Sequence, residues 1–159
     1  MNIFKGTYIQ TVDSTGRFIL PVDLKNQLGN NCTVLKGTGC LWLVTSTFAN
    51  QLLNEIQEIG GSNLQTMFNP QLSALQRHLF SGMTHLTPET DKNCRIQLNL
   101  EQRRYAKITD KVILYGTGSY VEAWDPAELD KFNYGTENIE NLFDITSKLF
   151  TELKDKVDE

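Results

Sequence analysis

Two arginines each stand four residues after an aspartate, Arg17 after Asp13 and Arg95 after Asp91. A guanidinium is a rigid fork of donors, able to grip a carboxylate, a phosphate or a guanine edge through two bonds at once. The same spacing, with Gly16 just before the first arginine, also suits a tight β-hairpin loop braced by its own ion pair. Exposed pairs of that kind add little to stability. From spacing alone, a structural brace is the better reading than an external partner.

Other reactive side chains form no pattern of their own. Cysteines fall at 32, 40 and 94 and histidines at 78 and 85. None has the close pairing of a zinc site, and an odd cysteine count does not build a disulfide framework. No nucleophile lies beside a base, and no carboxylates are paired as general acid–base chemistry would need. Gly37-Thr38-Gly39 and Gly116-Thr117-Gly118 lack the Lys-Ser/Thr of a phosphate loop and the third glycine of a dinucleotide fold, so they read as turns. The expectation is a protein without catalytic residues, metal, cofactor or small-molecule substrate.

The elements that would hold the two arginines repeat. Aligning Tyr8–Leu20 on Leu86–Leu98 superimposes Asp13 on Asp91, Arg17 on Arg95 and Leu20 on Leu98. The same offset pairs Val34-Leu35 with Val112-Ile113, and one inserted residue later the two Gly-Thr-Gly turns coincide. Each turn precedes a strand-like run, Leu41–Val44 and Val121–Trp124. Ordered agreement of this kind marks a duplication.

Each copy predicts a hairpin, a short helix and a second hairpin. In the first, Tyr8–Val12 and Arg17–Leu20 carry the β-branched and aromatic residues that strands favour. Pro21 and Gly29 bracket a helix over 22–28, and strands follow near 32–36 and 41–44. A unit of about 40 residues cannot bury its sheet alone, so each copy needs the other. Between them, Ser46 or Thr47 is expected to cap a helix over 48–59 ended by Gly60-Gly61, and another begins near Pro70. Trp42 and Trp124 belong to the core, while Arg103, Arg104, Lys107 and Lys111 read as a solvated face before a phosphate-contacting strip. Residues 137–157 place Ile139, Leu142, Phe143, Leu149, Phe150 and Leu153 on one stripe, an amphipathic helix expected to dock on the body. The organisation is therefore residues 1–46, first module; 47–83, connecting helices; 84–130, second module; 131–159, acidic tail.

The net charge of −4 divides unevenly. Residues 125–159 hold ten acidic side chains against four lysines, leaving the first 124 residues with eleven basic and nine acidic. A mildly basic body is compatible with nucleic acid. No apolar run approaches the ~18–20 residues of a membrane span, and the start of the chain does not read as a secretory signal, so the cytoplasm is expected.

Several segments together resemble one family. Ile3-Phe4-Lys5-Gly6, Asp13-Ser14-Thr15-Gly16-Arg17-Phe18-Ile19-Leu20-Pro21, Arg77-His78-Leu79-Phe80-Ser81-Gly82, Val112–Gly116 and Val121–Asp125 stand in the order found in MraZ proteins. These are AbrB-like, swapped-hairpin transcription factors, and the similarity runs over about residues 2–130. The resemblance implies an α+β, mainly β fold, with two tandem β-β-α-β-β modules forming a pseudo-symmetric, β-barrel-like core with connecting helices. It implies a sequence-specific DNA-binding regulator, often a repressor, of the bacterial division and cell-wall gene cluster. Its partners would be double-stranded DNA carrying tandem promoter repeats, met on the nucleoid, and further copies of itself in a ring.

Position by position, Arg17 and Arg95 become the prime DNA contacts, joined by Lys5 and Lys92. Asp13, Gly16 and Asp91 shape the hairpins. The chain departs from the family at Thr15, where a basic residue is common, at Cys94 in place of glycine, and at Gln97-Leu98-Asn99 in place of an apolar-Pro ending. If position 94 needs a positive φ, a cysteine there is strained. The alternative is a non-catalytic protein-interaction module of the same fold, antitoxin-like or scaffolding.

Overall fold

Alternating strand residues need a second sheet surface to cover them, and here each module finds it in the other. The computed structural model describes residues 3–29, 32–86 and 94–132, and in the tail 144, 147–149 and 151–152. The first module runs β1 (Thr7–Thr11), β2 (Arg17–Ile19), α1 (Val22–Leu28), β3 (Cys32–Lys36) and β4 (Leu41–Thr45). Helices α2 (Ser46–Gly60), α3 (Asn63–Phe68) and α4 (Pro70–Phe80) follow. The second module runs β5 (Thr84–Leu86), β6 (Arg95–Gln97), α5 (Leu100–Ala106), β7 (Lys111–Gly116) and β8 (Val121–Trp124), followed by α6 (Pro126–Phe132).

Among the described residues, only the later hairpins pair within a module, β3 with β4 and β7 with β8. Every other pairing crosses between modules: β1 with β7, β5 with β3, β2 with β6 and β4 with β8, all antiparallel. The strands form a six-stranded sheet, β1-β7-β8-β4-β3-β5, and a separate ribbon of β2 and β6. This is the swapped arrangement that the family resemblance implies, within an α+β fold. Among the described residues the large sheet is open and does not close into a barrel.

A pseudo-two-fold axis follows from register alone. Phe18 faces Ile96, its own counterpart in the repeat, and Trp42 faces Glu122, each the second residue of its strand-like run after the turn. Bonds recur across the axis: the Leu98 amide donates to the Gly16 carbonyl, and the Leu20 amide to the Cys94 carbonyl, each at 2.9 Å. Under the ribbon lie Phe18, Leu20, Ile96 and Leu98, packed with Leu24, Leu41, Leu43, Val112, Leu114 and Val121 in one buried cluster. Each such side chain contributes about 1.5–3 kcal/mol by leaving water, so the core ties the two modules into one cooperative body.

Helix ends differ slightly from expectation. Thr45, not Ser46 or Thr47, caps α2, its side chain accepting from the Phe48 amide at 3.1 Å. Pro21 sits at the N-cap of α1 with φ −53° and ψ 141°, one residue outside the helix. Helix α3 has no counterpart in the sequence reading; Ser62 caps it by accepting from Gln65. Asn69 caps α4 and Pro70 starts it. Both Gly-Thr-Gly segments are turns, closed by Gly37 N to Cys40 O and Thr117 N to Tyr120 O. Trp124 is buried, whereas Trp42 is half-buried, lying against Tyr120 with ring centroids 5.5 Å apart.

The chain divides into two units, Met1–Glu128 and Leu129–Glu159. In the second, the described residues after α6 are helical, and the Thr151 hydroxyl donates to the Ser147 carbonyl at 3.0 Å. Leu149 is exposed there, while Ile139, Leu142, Phe143, Phe150 and Leu153 of the expected stripe lie outside the described residues. Among the described residues no helix is long and apolar enough to cross a membrane.

Candidate nucleic-acid interface

The loop from Asp13 to Arg17 is built by its aspartate. The Asp13 amide donates to the Arg17 carbonyl and the Gly16 amide to the Asp13 carbonyl, a turn with one extra residue. Gly16 supplies the left-handed φ of +87° that closes it. One carboxylate oxygen, Oδ1, accepts from the Thr15 amide (3.0 Å), the Thr15 hydroxyl (2.7 Å) and the Arg17 amide (2.9 Å). The other, Oδ2, accepts from Arg17 Nε at 2.9 Å. That bond takes the Nε–H of the guanidinium, and the hydrogen bonds between the two side chains leave the terminal nitrogens uncommitted to the carboxylate. Arg17 is 40% exposed.

The Arg17 amide, then the Thr15 hydroxyl, hold the Asp13 carboxyl well below the usual carboxylate range. A carboxylate whose folded pKa is depressed stabilises the fold above its unfolded pKa, and that contribution fades as pH falls through the folded value. Wild type should therefore melt above Asp13→Asn at neutral pH, with the gap narrowing below about pH 4. Melts from neutral pH down to about 3 check this; a gap independent of pH would contradict it.

The ribbon carries Arg17 and Arg95 on one surface. Strand alternation turns Phe18 and Ile96 inward, so Arg17, Ile19, Arg95 and Gln97 all face outward. Arg17 lies opposite Gln97 and Ile19 opposite Arg95. Cys94 adopts φ +56°, so a side chain occupies the left-handed conformation that its counterpart Gly16 meets freely. The duplication thus forces a cysteine into a glycine geometry, at about 1–2 kcal/mol.

Other expected residues are placed differently. Lys5 borders a shallow cavity of about 360 Å³ with Tyr8, Asp23, Asn26 and Gln27, beside α1 and not on the ribbon. Asp91 and Lys92 lie outside the described residues. Arg103 does not point wholly to solvent: its Nε is buried without a hydrogen-bond partner among the described residues, and its side chain packs under Gly16. Arg104, Lys107 and Lys111 are exposed.

Gln97 was legible only as a departure from the family pattern; strand alternation from Arg95 would have placed it beside the arginines. Its side-chain amide donates to the Thr15 carbonyl at 2.9 Å, tying β6 to the loop of the first module. Cys32 and Cys40 are core residues whose thiols burial pushes up to about 12, far from the thiolate that a nucleophile requires. His78 Nε2 lies 3.0 Å from the Gly37 carbonyl, and His85 Nδ1 lies 3.0 Å from the Thr33 hydroxyl.

A duplicated module whose strands exchange across a pseudo-two-fold axis, with an aspartate-braced arginine at a hairpin turn, defines a swapped-hairpin protein. The chain is similar to the transcriptional regulator MraZ of Dictyoglomus thermophilum, 30% identical over 151 residues that span 92% of this chain and 96% of that one. It belongs to the MraZ family of transcriptional regulators. MraZ of Alkaliphilus oremlandii is 30% identical over 132 residues, covering 82% of this chain and 87% of the relative. That of Desulfitobacterium hafniense is 31% identical over 126 residues, covering 79% and 82%. No family model matches the chain.

Proposed function

We propose that this regulator is a sequence-specific, non-catalytic DNA-binding protein that reads duplex DNA with the β2–β6 ribbon and its Asp13–Arg17 loop. The observation that carries the reading is the shared outward face of Arg17 and Arg95 on a two-stranded ribbon. Such a ribbon has the width to enter a major groove, where arginine takes guanine O6 and N7 through two bonds. Asp13 orients the guanidinium from behind and does not itself approach the polyanion. Arg104 and Lys111 are exposed cations available to phosphate, and Lys107, also exposed, has its Nζ 3.9 Å from Glu128 Oε1.

One ribbon spans few base pairs and binds weakly. Several copies in a ring, meeting tandem boxes in a promoter, would gain affinity through effective concentration. The family resemblance supports reading it as a repressor acting on the nucleoid, at the bacterial division and cell-wall gene cluster.

The test is binding of the full chain to a duplex from its own upstream region and to a shuffled duplex, between about 50 and 200 mM salt. Affinity for the upstream duplex should exceed that for the shuffled one. It should fall log-linearly with salt, by about 0.9 in slope for each phosphate contacted. Equal, weak binding to both duplexes would refute sequence-specific reading and favour the protein-interaction alternative.

A further inference from the structure

The two halves of the ribbon are not chemically equivalent. Arg17 and Arg95 repeat across the pseudo-axis, but the outward residue two positions on is Ile19 in one strand and Gln97 in the other. One end of the ribbon therefore offers Arg17 beside Gln97, and the other offers Arg95 beside Ile19.

The ladder fixes how close these neighbours are. Its bonds fall at Gly16–Leu98 and Leu20–Cys94, hence on the even-numbered register positions of β2. Arg17–Gln97 is then a non-hydrogen-bonded pair, in which Cα atoms approach to ~4.5 Å and side chains stand closest. Stacked base pairs are about 3.4 Å apart along a duplex, so two such side chains can meet neighbouring base pairs.

Gln97 is also pre-oriented. The Thr15 carbonyl can only accept, so the Gln97 nitrogen must face it, and one amide N–H is committed there at 2.9 Å. The second N–H and the side-chain carbonyl oxygen have no hydrogen bond among the described residues and lie on an exposed residue. One donor next to one acceptor complements the adenine edge, N7 and N6–H, in the major groove.

We propose that Gln97 is a specificity-determining residue that selects an adenine next to the guanine taken by Arg17, giving each subunit an asymmetric reading end. The inference rests on the DNA-reading function above. It goes further in assigning a base to a residue outside the Asp-x-x-x-Arg motif.

The test is selection from a randomised duplex library by the full-length wild type and by Gln97→Ala, Gln97→Glu and Arg17→Ala. Wild type should enrich a G·C pair flanked by an A·T pair. Gln97→Ala should keep the guanine and lose the adenine preference, by about 5- to 150-fold. Gln97→Glu, an acceptor without a donor, should shift that position toward cytosine. Arg17→Ala should lose the guanine instead.

If Gln97 only braces the Thr15 loop, Gln97→Ala will bind every sequence more weakly with unchanged base preferences, and the proposal fails. An unchanged adenine preference in Gln97→Glu overturns it equally. Should wild type enrich no sequence at all, the DNA-reading function fails first and takes this inference with it.

Discussion

Arg17→Ala is expected to lower affinity for the upstream duplex by about 5- to 150-fold for each ribbon engaged, and more where several ribbons act together. Affinity for a shuffled duplex should change far less. The separation follows from geometry. Arg17 stands on the outward face of a strand whose inward residue, Phe18, carries the packing. Removing the guanidinium breaks a single exposed ion pair with Asp13, an interaction of little weight for stability. The Asp13 bonds to the Thr15 and Arg17 amides persist, because they involve backbone donors. The variant should therefore fold and melt close to wild type while binding its site poorly. Equilibrium binding beside thermal melts checks this. Unchanged specific affinity would remove Arg17 from the interface.

Gly16→Ala should act on the opposite property, destabilising the fold by about 3 kcal/mol or more. Two costs combine. The residue holds φ +87°, where a side chain is strained by about 1–2 kcal/mol. A Cβ there would also come within 2.5 Å of the Leu98 carbonyl oxygen and 2.6 Å of Arg103 Nε. Arg103 can swing aside, but Leu98 is backbone, fully buried, and bonded through its amide to Gly16 itself. Cys94 shows which cost matters more. The repeat places it in the equivalent position with φ +56°, so this backbone conformation alone does not prevent folding. Close passage of the other module's chain is what reserves position 16 for glycine. Chemical denaturation measures the loss; a destabilisation below about 0.5 kcal/mol would mean that the ribbon relaxes away from the added methyl.

Local chemistry made much of this protein readable before its structure. The aspartate, the glycine and the arginine of the first loop each impose a short-range geometry, and α1 and the two Gly-Thr-Gly turns are likewise written in their own residues. Duplication was legible because Asp13/Asp91, Arg17/Arg95 and Leu20/Leu98 keep a constant offset. Helix α3 was missed because six residues are too few for the spacing of Leu64, Met67 and Phe68 to stand out, and because its Ser62 cap directly follows Gly60-Gly61, which reads as the end of a helix.

Pairing between modules lies beyond local rules. Nothing within Arg17–Ile19 says that its partner is Arg95–Gln97, since a three-residue strand accepts any register that buries its middle side chain. Only burial of Phe18 against Ile96, over a core shared by both modules, selects that register. The same choice sets Gln97 beside Arg17 and folds Arg103 under Gly16. The residues able to do chemistry were thus set by sequence, through side-chain type and local spacing. Which of them stand together was decided by the tertiary structure, because strand partners are chosen by the apolar surface they jointly bury.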